Sequence, residues 1–294
     1  MNATQTIDPT AIDCLICGTE NTPDAAVCGY CYAPMVLGHE ARAQEHPPRI
    51  TTIIGDSNVG KTVYVGMLLD MLSKRADQFD AVPKGPYSVN LPETVISCLM
   101  ARQFPPKTAM EVDQWNWAYY QITQRQGKKT THHDLVMPDM AGEALAAEVS
   151  SPQTFTIVRS LLKQSVGVLM LVDAAVASSG SPHPDFFALK LMTYLDGLLA
   201  PKARGKIRTP VAIVLCKADY CPDCFDDPQL FAKTNLSRLW NLCENRFANF
   251  EFFACSVVGS LGYATDAEEN VISYPLHIAP RGILEPFEWL LSKT

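Results

Sequence analysis

The stretch Gly55-Asp56-Ser57-Asn58-Val59-Gly60-Lys61-Thr62 decides the fold of this 294-residue chain. The β-branched run Arg49–Ile54 before it predicts a buried strand, and the run after it has apolar residues at helical spacing. A strand, the pattern G-x-x-x-x-G-K-[ST] and a helix, in this order, form the context that a phosphate-binding loop requires. The glycines let backbone N–H groups turn toward a phosphate, and the helix N-terminus adds its positive dipole end. We therefore predict a phosphate site here rather than a chance Gly-rich turn.

From Arg49 onward, short apolar runs alternate with longer amphipathic ones, which is typical of an α/β sheet with helices on both faces. We predict strands over 49–54, 112–123, 130–138, 165–172, 210–216 and 250–256. We predict helices over 61–75, 142–163, 184–200, 228–248 and 284–292. The short Gly-containing turn 125–129 predicts one antiparallel hairpin, and the helical connections make the other strands parallel. The expected fold is a mostly parallel six-stranded sheet.

Polar residues beside the predicted loop suggest a metal site. Lys61 would bridge the β- and γ-phosphates of a nucleotide, and the Thr62 hydroxyl would bind Mg²⁺, which prefers oxygen ligands. A polar residue before the second strand should complete the metal shell, and Thr108 is the best placed. Thr94, Thr130 and Thr131 remain alternatives, and any of these threonines could instead be a solvated loop residue.

A sensor for the γ-phosphate is predicted where strand 130–138 ends, in Asp139-Met140-Ala141-Gly142-Glu143. Asp139 would hold Mg²⁺ through water, and the Gly142 N–H would bond the γ-phosphate, so that the following segment responds to the nucleotide state. The alternative is a plain turn, because Asp and Gly are common in turns.

The nucleotide base is predicted to lie where strands 210–216 and 250–256 end, since α/β sheets bind ligands at this edge. Strand 210–216 ends in Cys216-Lys217-Ala218-Asp219. The Asp219 carboxylate could accept from both the N1–H and the exocyclic amine of guanine, whereas adenine offers an acceptor at N1 and no amine at C2. The Lys217 stem would cover the ring, and backbone amides near Ser256 and Val257 would meet the guanine O6. A surface turn with a Lys217–Asp219 ion pair is the alternative.

In their order and strand positions, these motifs resemble those of translation-factor-class and Ras-like P-loop GTPases, from Arg49 to the C-terminus. The D-x-A-G-E form, the long segment before the second strand and Glu285–Leu291 resemble the bacterial double-GTPase group, which is associated with conflict and defence systems. The resemblance implies GTP or GDP with Mg²⁺, and slow GTP hydrolysis coupled to a conformational switch. A GTP-binding recruitment module without hydrolysis and an ATPase remain alternatives.

The resemblance implies catalytic roles for Lys61, Gly142 and Glu143. It implies nucleotide or Mg²⁺ contacts for Gly55, Asp56, Ser57, Asn58, Val59, Gly60, Lys61, Thr62, Thr108, Asp139, Gly142, Cys216, Lys217, Asp219, Ser256 and Val257.

Three features depart from the pattern of the family. Cys216 replaces the usual Asn or Thr of the base motif, which predicts weaker guanine affinity. Glu143 replaces the water-orienting Gln, and its charge would repel the γ-phosphate unless it acts as a base or swings away. About 80 residues separate Lys61 from Asp139, so we expect a Pro-rich insertion at about 77–104 that forms a partner-facing loop.

Two close cysteine pairs, Cys14-x₂-Cys17 and Cys28-x₂-Cys31, supply four thiolates, enough for a closed tetrahedral Zn²⁺ site. We predict a structural zinc ribbon over 14–36, preceded by a disordered tail over 1–13. A linker over 37–48 would join it to a GTPase domain over 49–294. A third pair, Cys221 and Cys224, is interpreted as incidental loop thiols, with a redox latch or second metal site as alternatives.

Composition narrows the function further. A net charge of −7 and a pI of about 5.4 argue against a generic nucleic-acid binder, because such binding depends on clustered Lys and Arg. The ribbon is acidic as well. No segment reaches the ~18–20 apolar residues of a membrane span, so we expect a cytoplasmic protein. Its protein partner would bind through the ribbon or residues 77–108.

Overall fold

The computed structural model describes residues 11–43, 48–74, 79–126, 129–200, 205–265, 269 and 271–294. Its strands are β1 Ile12–Asp13, β2 Glu20–Asn21, β3 Arg49–Gly55, β4 Phe79–Pro83, β5 Asn116–Gln126, β6 Lys129–Asp139, β7 Ser165–Asp173, β8 Val211–Cys216, β9 Phe250–Ala254, β10 Ser256–Thr265 and β11 Val271–Arg281. Its α-helices are α1 Val36–Arg42, α2 Lys61–Lys74, α3 Tyr87–Met100, α4 Gly142–Ser150, α5 Thr156–Gln164, α6 Ala174–Ser178, α7 His183–Leu199, α8 Asp223–Asp226, α9 Pro228–Asn235, α10 Ser237–Arg246 and α11 Glu285–Lys293.

The central sheet has the order β4-β5-β6-β3-β7-β8-β9. Strand β3 lies parallel to β6 and β7, and β7, β8 and β9 continue the parallel part. Strands β5 and β6 form the expected antiparallel hairpin, paired from Asn116 and Asp139 to Gln126 and Lys129. The predicted α/β fold is confirmed, but the sheet has seven strands rather than six because β4 adds an antiparallel edge strand.

The segment 77–104 differs from the expected loop insertion, since it contains both β4 and α3. Leu91, Val95 and Leu99 of α3 are buried at helical spacing. Helix α3 packs closely on α2, because a Cβ added to Gly66 would lie 2.5 Å from Val95 Cγ2. The helical spacing of these apolar residues is present in the sequence, but prolines in the segment, including Pro92 inside the helix, argue against a helix because proline usually breaks one.

Two helices predicted as continuous are each divided in the structure. The predicted helix 142–163 consists of α4 and α5, and the buried Glu148 carboxylate between them accepts from the Gln153 and Phe155 backbone N–H groups. The predicted helix 228–248 consists of α9 and α10, and Asp185 of α7 accepts from the Leu239 N–H at 2.9 Å. Glu148 thus stabilises the turn that leads into α5, and Asp185 satisfies an N–H group in the first turn of α10.

Helices cover both faces of the sheet, as predicted. Helices α4, α5, α7, α9 and α10 pack against one face, and α2, α3 and α11 pack against the other. The predicted apolar positions of α2, Val65, Leu68, Leu69 and Leu72, are all fully buried. Among the described helices, none is long and apolar enough to cross a membrane.

The N-terminal cysteine unit, defined here as residues 11–43, shares its core with the sheet. Its buried residues, including Ile12, Ile16 and Leu37, lie in the same apolar cluster as Trp115 and Trp117. The side-chain amide of Gln164 in α5 donates to the Ile16 carbonyl. The unit therefore packs against the rest of the domain and is not a separate module joined only by a linker.

The boundaries of this unit differ from the sequence expectations. Residues 12–13 of the predicted tail form β1, which pairs with β2, and α1 covers the first half of the predicted linker 37–48. Residues 1–10 and 44–47 lie outside the described residues.

Candidate nucleotide-binding site

The predicted phosphate loop connects β3 to α2 and curls around the Lys61 ammonium. Lys61 Nζ donates to the carbonyl oxygens of Gly55 at 3.1 Å and Asp56 at 2.7 Å. Asn58 and Gly60 have positive φ angles of 62° and 98°, the left-handed region that tight turns use. Burial lowers the pKa of Lys61, and the nearby Asp139 charge opposes this shift. A buried ammonium surrounded by a tight backbone turn is suited to bind a phosphate.

The three predicted magnesium ligands meet beside this loop. Thr108 Oγ1 lies 3.0 Å from Thr62 Oγ1 and donates to Asp139 Oδ2 at 2.9 Å, and Thr62 Oγ1 donates to Asp139 Oδ1 at 3.2 Å. Asp139 is only 1% exposed, and this burial raises the pKa of its carboxyl group. Buried carboxylate and hydroxyl oxygens fit Mg²⁺, because a hard cation would offset the cost of burying the charge.

Of the four candidate threonines, the structure brings only Thr108 to Asp139. Thr94 is exposed on α3. Thr130 and Thr131 lie near the start of β6, and Asp139 lies at its end, about 25–30 Å away at the usual rise of a strand.

The start of α4 rests directly on the phosphate loop. A Cβ added to Gly142 would lie 2.6 Å from the Ser57 backbone nitrogen, so the two backbones are as close as glycine allows. Ser57 Oγ donates to Glu143 Oε1 at 2.6 Å, and this hydrogen bond lowers the pKa of Glu143. Lys107 Nζ lies 3.9 Å from the same oxygen. A shift of the loop would therefore move α4.

The predicted base site forms where β8 and β9 end. Lys217 adopts a left-handed conformation with φ 58°, and its ammonium pairs with Asp173 Oδ2 at 2.5 Å. Asp219 Oδ1 accepts from Ser256 Oγ at 2.6 Å. The Ala218 N–H donates to the Cys255 carbonyl at 3.1 Å, which joins the two loops. Lys217 pairs with Asp173, not with Asp219 as the surface-turn alternative required.

Cys216 lies at the base end of the cleft, but its thiol is almost fully buried. Its thiol lies 3.5 Å from the Cys255 sulfur and donates to the Val214 carbonyl at 3.6 Å. Burial raises the pKa of Cys221 and of Cys224, the latter to about 12. High pKa values keep these thiols protonated and poorly reactive.

One cleft of about 600 Å³ joins the phosphate and base regions, a size within the usual range for small-molecule sites. It is lined by Ser57–Tyr64, Phe104–Thr108, Met140, Gly142, Glu143, Asp173, Ala175, Val176, Cys216, Lys217, Asp219, Tyr220, Cys255–Val258, Leu261, Tyr263 and Ser273. The structure therefore brings most of the predicted nucleotide and catalytic residues to this cleft. Gly55, Asp56 and Asp139 do not line it, although Asp139 bonds to Thr62 and Thr108, which do.

Sequence reasoning missed several residues of this cleft. Strands β10 and β11 form a separate hairpin beside the base loops, and the hydroxyl groups of Tyr263 and Tyr220 lie 3.2 Å apart. Asp173, the partner of Lys217, stands at the carboxyl end of β7. Its position at the binding edge of the sheet was the signal that could have identified it.

The second predicted site is the cysteine cluster, whose four ligand sulfurs all lie within 4.8 Å of one another. The sulfurs of Cys14 and Cys31 are 3.5 Å apart, and those of Cys17 and Cys28 are 3.6 Å apart. Sulfurs bound to zinc at ~2.3 Å in a tetrahedron would be separated by about 3.8 Å. The hydrogen bond between the two thiols lowers the pKa of Cys14 to about 5 and raises the pKa of Cys31, so the two sulfurs share a proton that a bound metal would displace. The set fits a structural Zn²⁺ ion.

Several GTP-binding proteins of known structure resemble the chain at low identity. A nucleolar GTP-binding protein 1 from Plasmodium falciparum is 13% identical, with a TM-score of 0.41, over 84% of this chain and 89% of the other. The Ski7 GTPase-like domain of S. cerevisiae bound to GTP is 19% identical, with a TM-score of 0.39, over 72% and 43% respectively. The SRb-GTP/SRX complex from Chaetomium thermophilum is 15% identical, with a TM-score of 0.39, over 73% and 93%.

The comparison with curated proteins gave no significant match. A family model, described as Double-GTPase 1, matches residues 52–193, which include the phosphate loop from Gly55, Thr108, Asp139 and Glu143. This is the narrower group that the sequence resembled. The part of the chain that contains the phosphate loop and the three predicted magnesium ligands therefore matches the Double-GTPase 1 family model.

Proposed function

We propose that this chain is a guanine-nucleotide-dependent molecular switch that hydrolyses GTP to GDP and phosphate. The observation that supports it most is the single cleft, which joins the phosphate loop at one end to Asp219 at the other. A nucleotide spanning the cleft would place its phosphates at Lys61 and its base at Asp219. Asp219 would then select guanine, because its carboxylate can accept from two guanine donors that adenine lacks.

In the proposed reaction, a water oxygen attacks the γ-phosphorus and the bond to the β–γ bridging oxygen breaks. The bond electrons stay on GDP, and the water protons end on the released phosphate and solvent. Lys61 would hold the β- and γ-phosphate oxygens. Thr62, Thr108 and Asp139 would hold Mg²⁺, which supplies positive charge to neutralise the phosphates. The structure holds the Glu143 carboxylate against Ser57 Oγ at 2.6 Å, so this charge would lie at the edge of the phosphate loop.

The proposed switch is the contact between Gly142 and the phosphate loop. The Gly142 N–H would bond the γ-phosphate of GTP, and this bond is absent with GDP. Since α4 begins at Gly142 and touches Ser57, loss of the γ-phosphate would change the position of α4. The switch thus couples the chemistry to the position of α4 in the layer of helices on that face of the sheet.

The cysteine unit, with Zn²⁺ bound to its four thiolates, would serve as the docking site for a protein partner, together with residues 77–108. The protein would act in the cytoplasm. Ligation of Zn²⁺ by Cys14, Cys17, Cys28 and Cys31 requires reduced cysteines, which supports a reducing setting. A place in a bacterial conflict or defence system remains a prediction from the resemblance to the double-GTPase group.

A second candidate is a protein that binds GTP without hydrolysing it. The hydrogen bond between Ser57 and Glu143 favours this candidate, because it occupies the side chain that stands where related GTPases orient water. Phosphate release by purified protein under single-turnover conditions separates the two functions.

The test of the proposed function combines binding with turnover. Purified full-length protein should bind GTP and GDP at least tenfold more tightly than ATP, and Asp219→Ala should lose this preference. Magnesium-dependent phosphate release should be measurable and should disappear in Lys61→Ala. A preference for ATP in the wild type would refute the guanine assignment, and tight GTP binding with no phosphate release would leave the second candidate.

A further inference from the structure

The phosphate end of the cleft contains, besides the buried Lys61, an exposed lysine that the proposed mechanism has not used. Among the described residues that line the cleft, the lysines are Lys61, Lys107 and Lys217. Lys61 is buried against backbone carbonyls, and Lys217 is paired with Asp173 at the base end. Of these three lysines, Lys107 is the one that is largely exposed near the phosphate loop, with its side chain 67% exposed.

The position of Lys107 is fixed by its neighbour in the chain. Thr108 is anchored by hydrogen bonds to Thr62 and Asp139, so the backbone of Lys107 is held at the edge of the predicted metal site. Its side chain extends over the cleft and places Nζ 3.9 Å from Glu143 Oε1. Because Glu143 is itself bonded to Ser57 of the phosphate loop, the ammonium lies within a few ångströms of that loop.

The charges in this part of the cleft give Lys107 a function. The hydrogen bond from Ser57 lowers the pKa of Glu143, so Glu143 is ionised at neutral pH and would repel the γ-phosphate. The Lys107–Glu143 contact is long, and both side chains are partly exposed, so the ammonium can exchange this partner for another anion at little cost. The oxygens of a γ-phosphate would be the stronger partner, because they carry more charge.

We propose that Lys107 is a catalytic cation supplied within the chain, which moves from Glu143 to the γ-phosphate oxygens and stabilises the charge that develops there during GTP hydrolysis. This inference rests on the proposed function. Lys107 forms and breaks no covalent bond in the reaction. It also suppresses the repulsion from Glu143, so that the chain need not obtain its second phosphate-directed cation from a partner protein.

The test uses single-turnover GTP hydrolysis by the full chain with excess enzyme, together with GDP and GTP affinities. Lys107→Ala should lower the hydrolysis rate at saturating GTP by about 100–1,000-fold, the range for loss of one charge-stabilising group, and change GDP affinity less than about threefold. Lys107→Arg should recover most of the rate, because it keeps the positive charge. Lys190→Ala, which removes an exposed lysine of α7 away from the cleft, is the matched control and should leave the rate unchanged.

A double-mutant comparison separates direct action on the phosphate from simple neutralisation of Glu143. If Lys107 contacts the phosphate, most of the fold-loss that Lys107→Ala causes in wild type should persist in the Glu143→Gln background, and the part that disappears is the repulsion from Glu143 that Lys107 suppresses. A Lys107→Ala variant that is harmless in the Glu143→Gln background would refute the proposal, since Lys107 would then act only as a counter-ion for Glu143.

Two further outcomes distinguish the inference from the proposed function. Measurable wild-type hydrolysis with an unchanged rate in Lys107→Ala would overturn the inference and leave the proposed GTPase function intact. A wild type that binds GTP but releases no phosphate would overturn both.

Discussion

Replacing Gly142 by alanine tests the contact between α4 and the phosphate loop. The added Cβ would lie 2.6 Å from the Ser57 nitrogen, 2.8 Å from the Ser57 Cα and 2.9 Å from the Asp56 carbonyl carbon. All three neighbours are backbone atoms of a tight turn, so no side chain can rotate away. Restoring an ordinary separation of ~3.4 Å or more requires α4 and the loop to move apart by about 0.5–1 Å.

Gly142→Ala should lower both the stability of the fold and the affinity for GTP. Overpacking of this kind destabilises by about 1–3 kcal/mol, and each kcal/mol should lower the Tm by roughly 2–4 °C for a domain of this size. The shift also moves the Gly142 N–H away from the γ-phosphate. One hydrogen bond to a charged group contributes about 1.5–3 kcal/mol, so GTP affinity should fall about 10–100-fold while GDP affinity stays within about twofold.

The assay is chemical or thermal unfolding of nucleotide-free protein, followed by GTP and GDP titrations. Gly197→Ala is the matched control, because Gly197 lies inside α7 and a Cβ there would meet nothing within 4 Å. That change should raise stability by about 0.5–1 kcal/mol, the helix preference of alanine over glycine. The reasoning fails if Gly142→Ala is as stable as wild type and keeps its ratio of GTP to GDP affinity.

Three other changes test the remaining parts of the structure. Burial raises the pKa of Asp139, so the folded state loses stability as pH rises through this raised pKa and the carboxyl group ionises. Without metal, Asp139→Asn should therefore be at least as stable as wild type at pH 7. Unchanged Mg²⁺ dependence of GTP binding in this variant would contradict the assignment of Asp139 as a magnesium ligand. Asp219→Asn should bind xanthosine triphosphate more tightly than GTP. Xanthine carries a C2 carbonyl where guanine carries the C2 amine, and the new side-chain amide can donate to that carbonyl. A retained preference for GTP in a competition assay would count against Asp219 as the base ligand. Cys17→Ser should lose bound zinc and lower the Tm, whereas Cys98→Ser in α3 should keep the wild-type metal content by elemental analysis; equal zinc in both variants would be inconsistent with the cysteine site.

The parts of the fold that depend on local sequence were predictable. The strand, phosphate loop and helix at 49–74 follow from spacing alone, and the order of Thr62, Thr108 and Asp139 along the chain was enough to select the threonine that meets the buried carboxylate. The five remaining predicted strands were found within a few residues of their observed limits.

Other features depend on distant parts of the chain and could not be predicted from local patterns. The breaks before α5 and α10 are stabilised by carboxylates of Glu148 and Asp185, and the second of these lies 54 positions from the N–H group it accepts from. The β10–β11 hairpin gave no clear signal, because its strands contain several glycines and prolines and pair outside the main sheet. Lys107 belongs to no motif, and only the folded position of Glu143 gives it a partner.

The shared core of the cysteine unit and the sheet has a consequence for synthesis. Ile16 accepts a hydrogen bond from Gln164, a residue 148 positions later in the chain, and at ~5–20 residues per second about 7–30 s pass before that partner is made. During this interval the unit cannot yet bury its apolar side chains against β5 or α5. A metal ion bound soon after Cys31 is synthesised would hold the four cysteines together until the strands and helices of the sheet have been made. Zinc supply during translation would therefore govern the yield of correctly assembled protein.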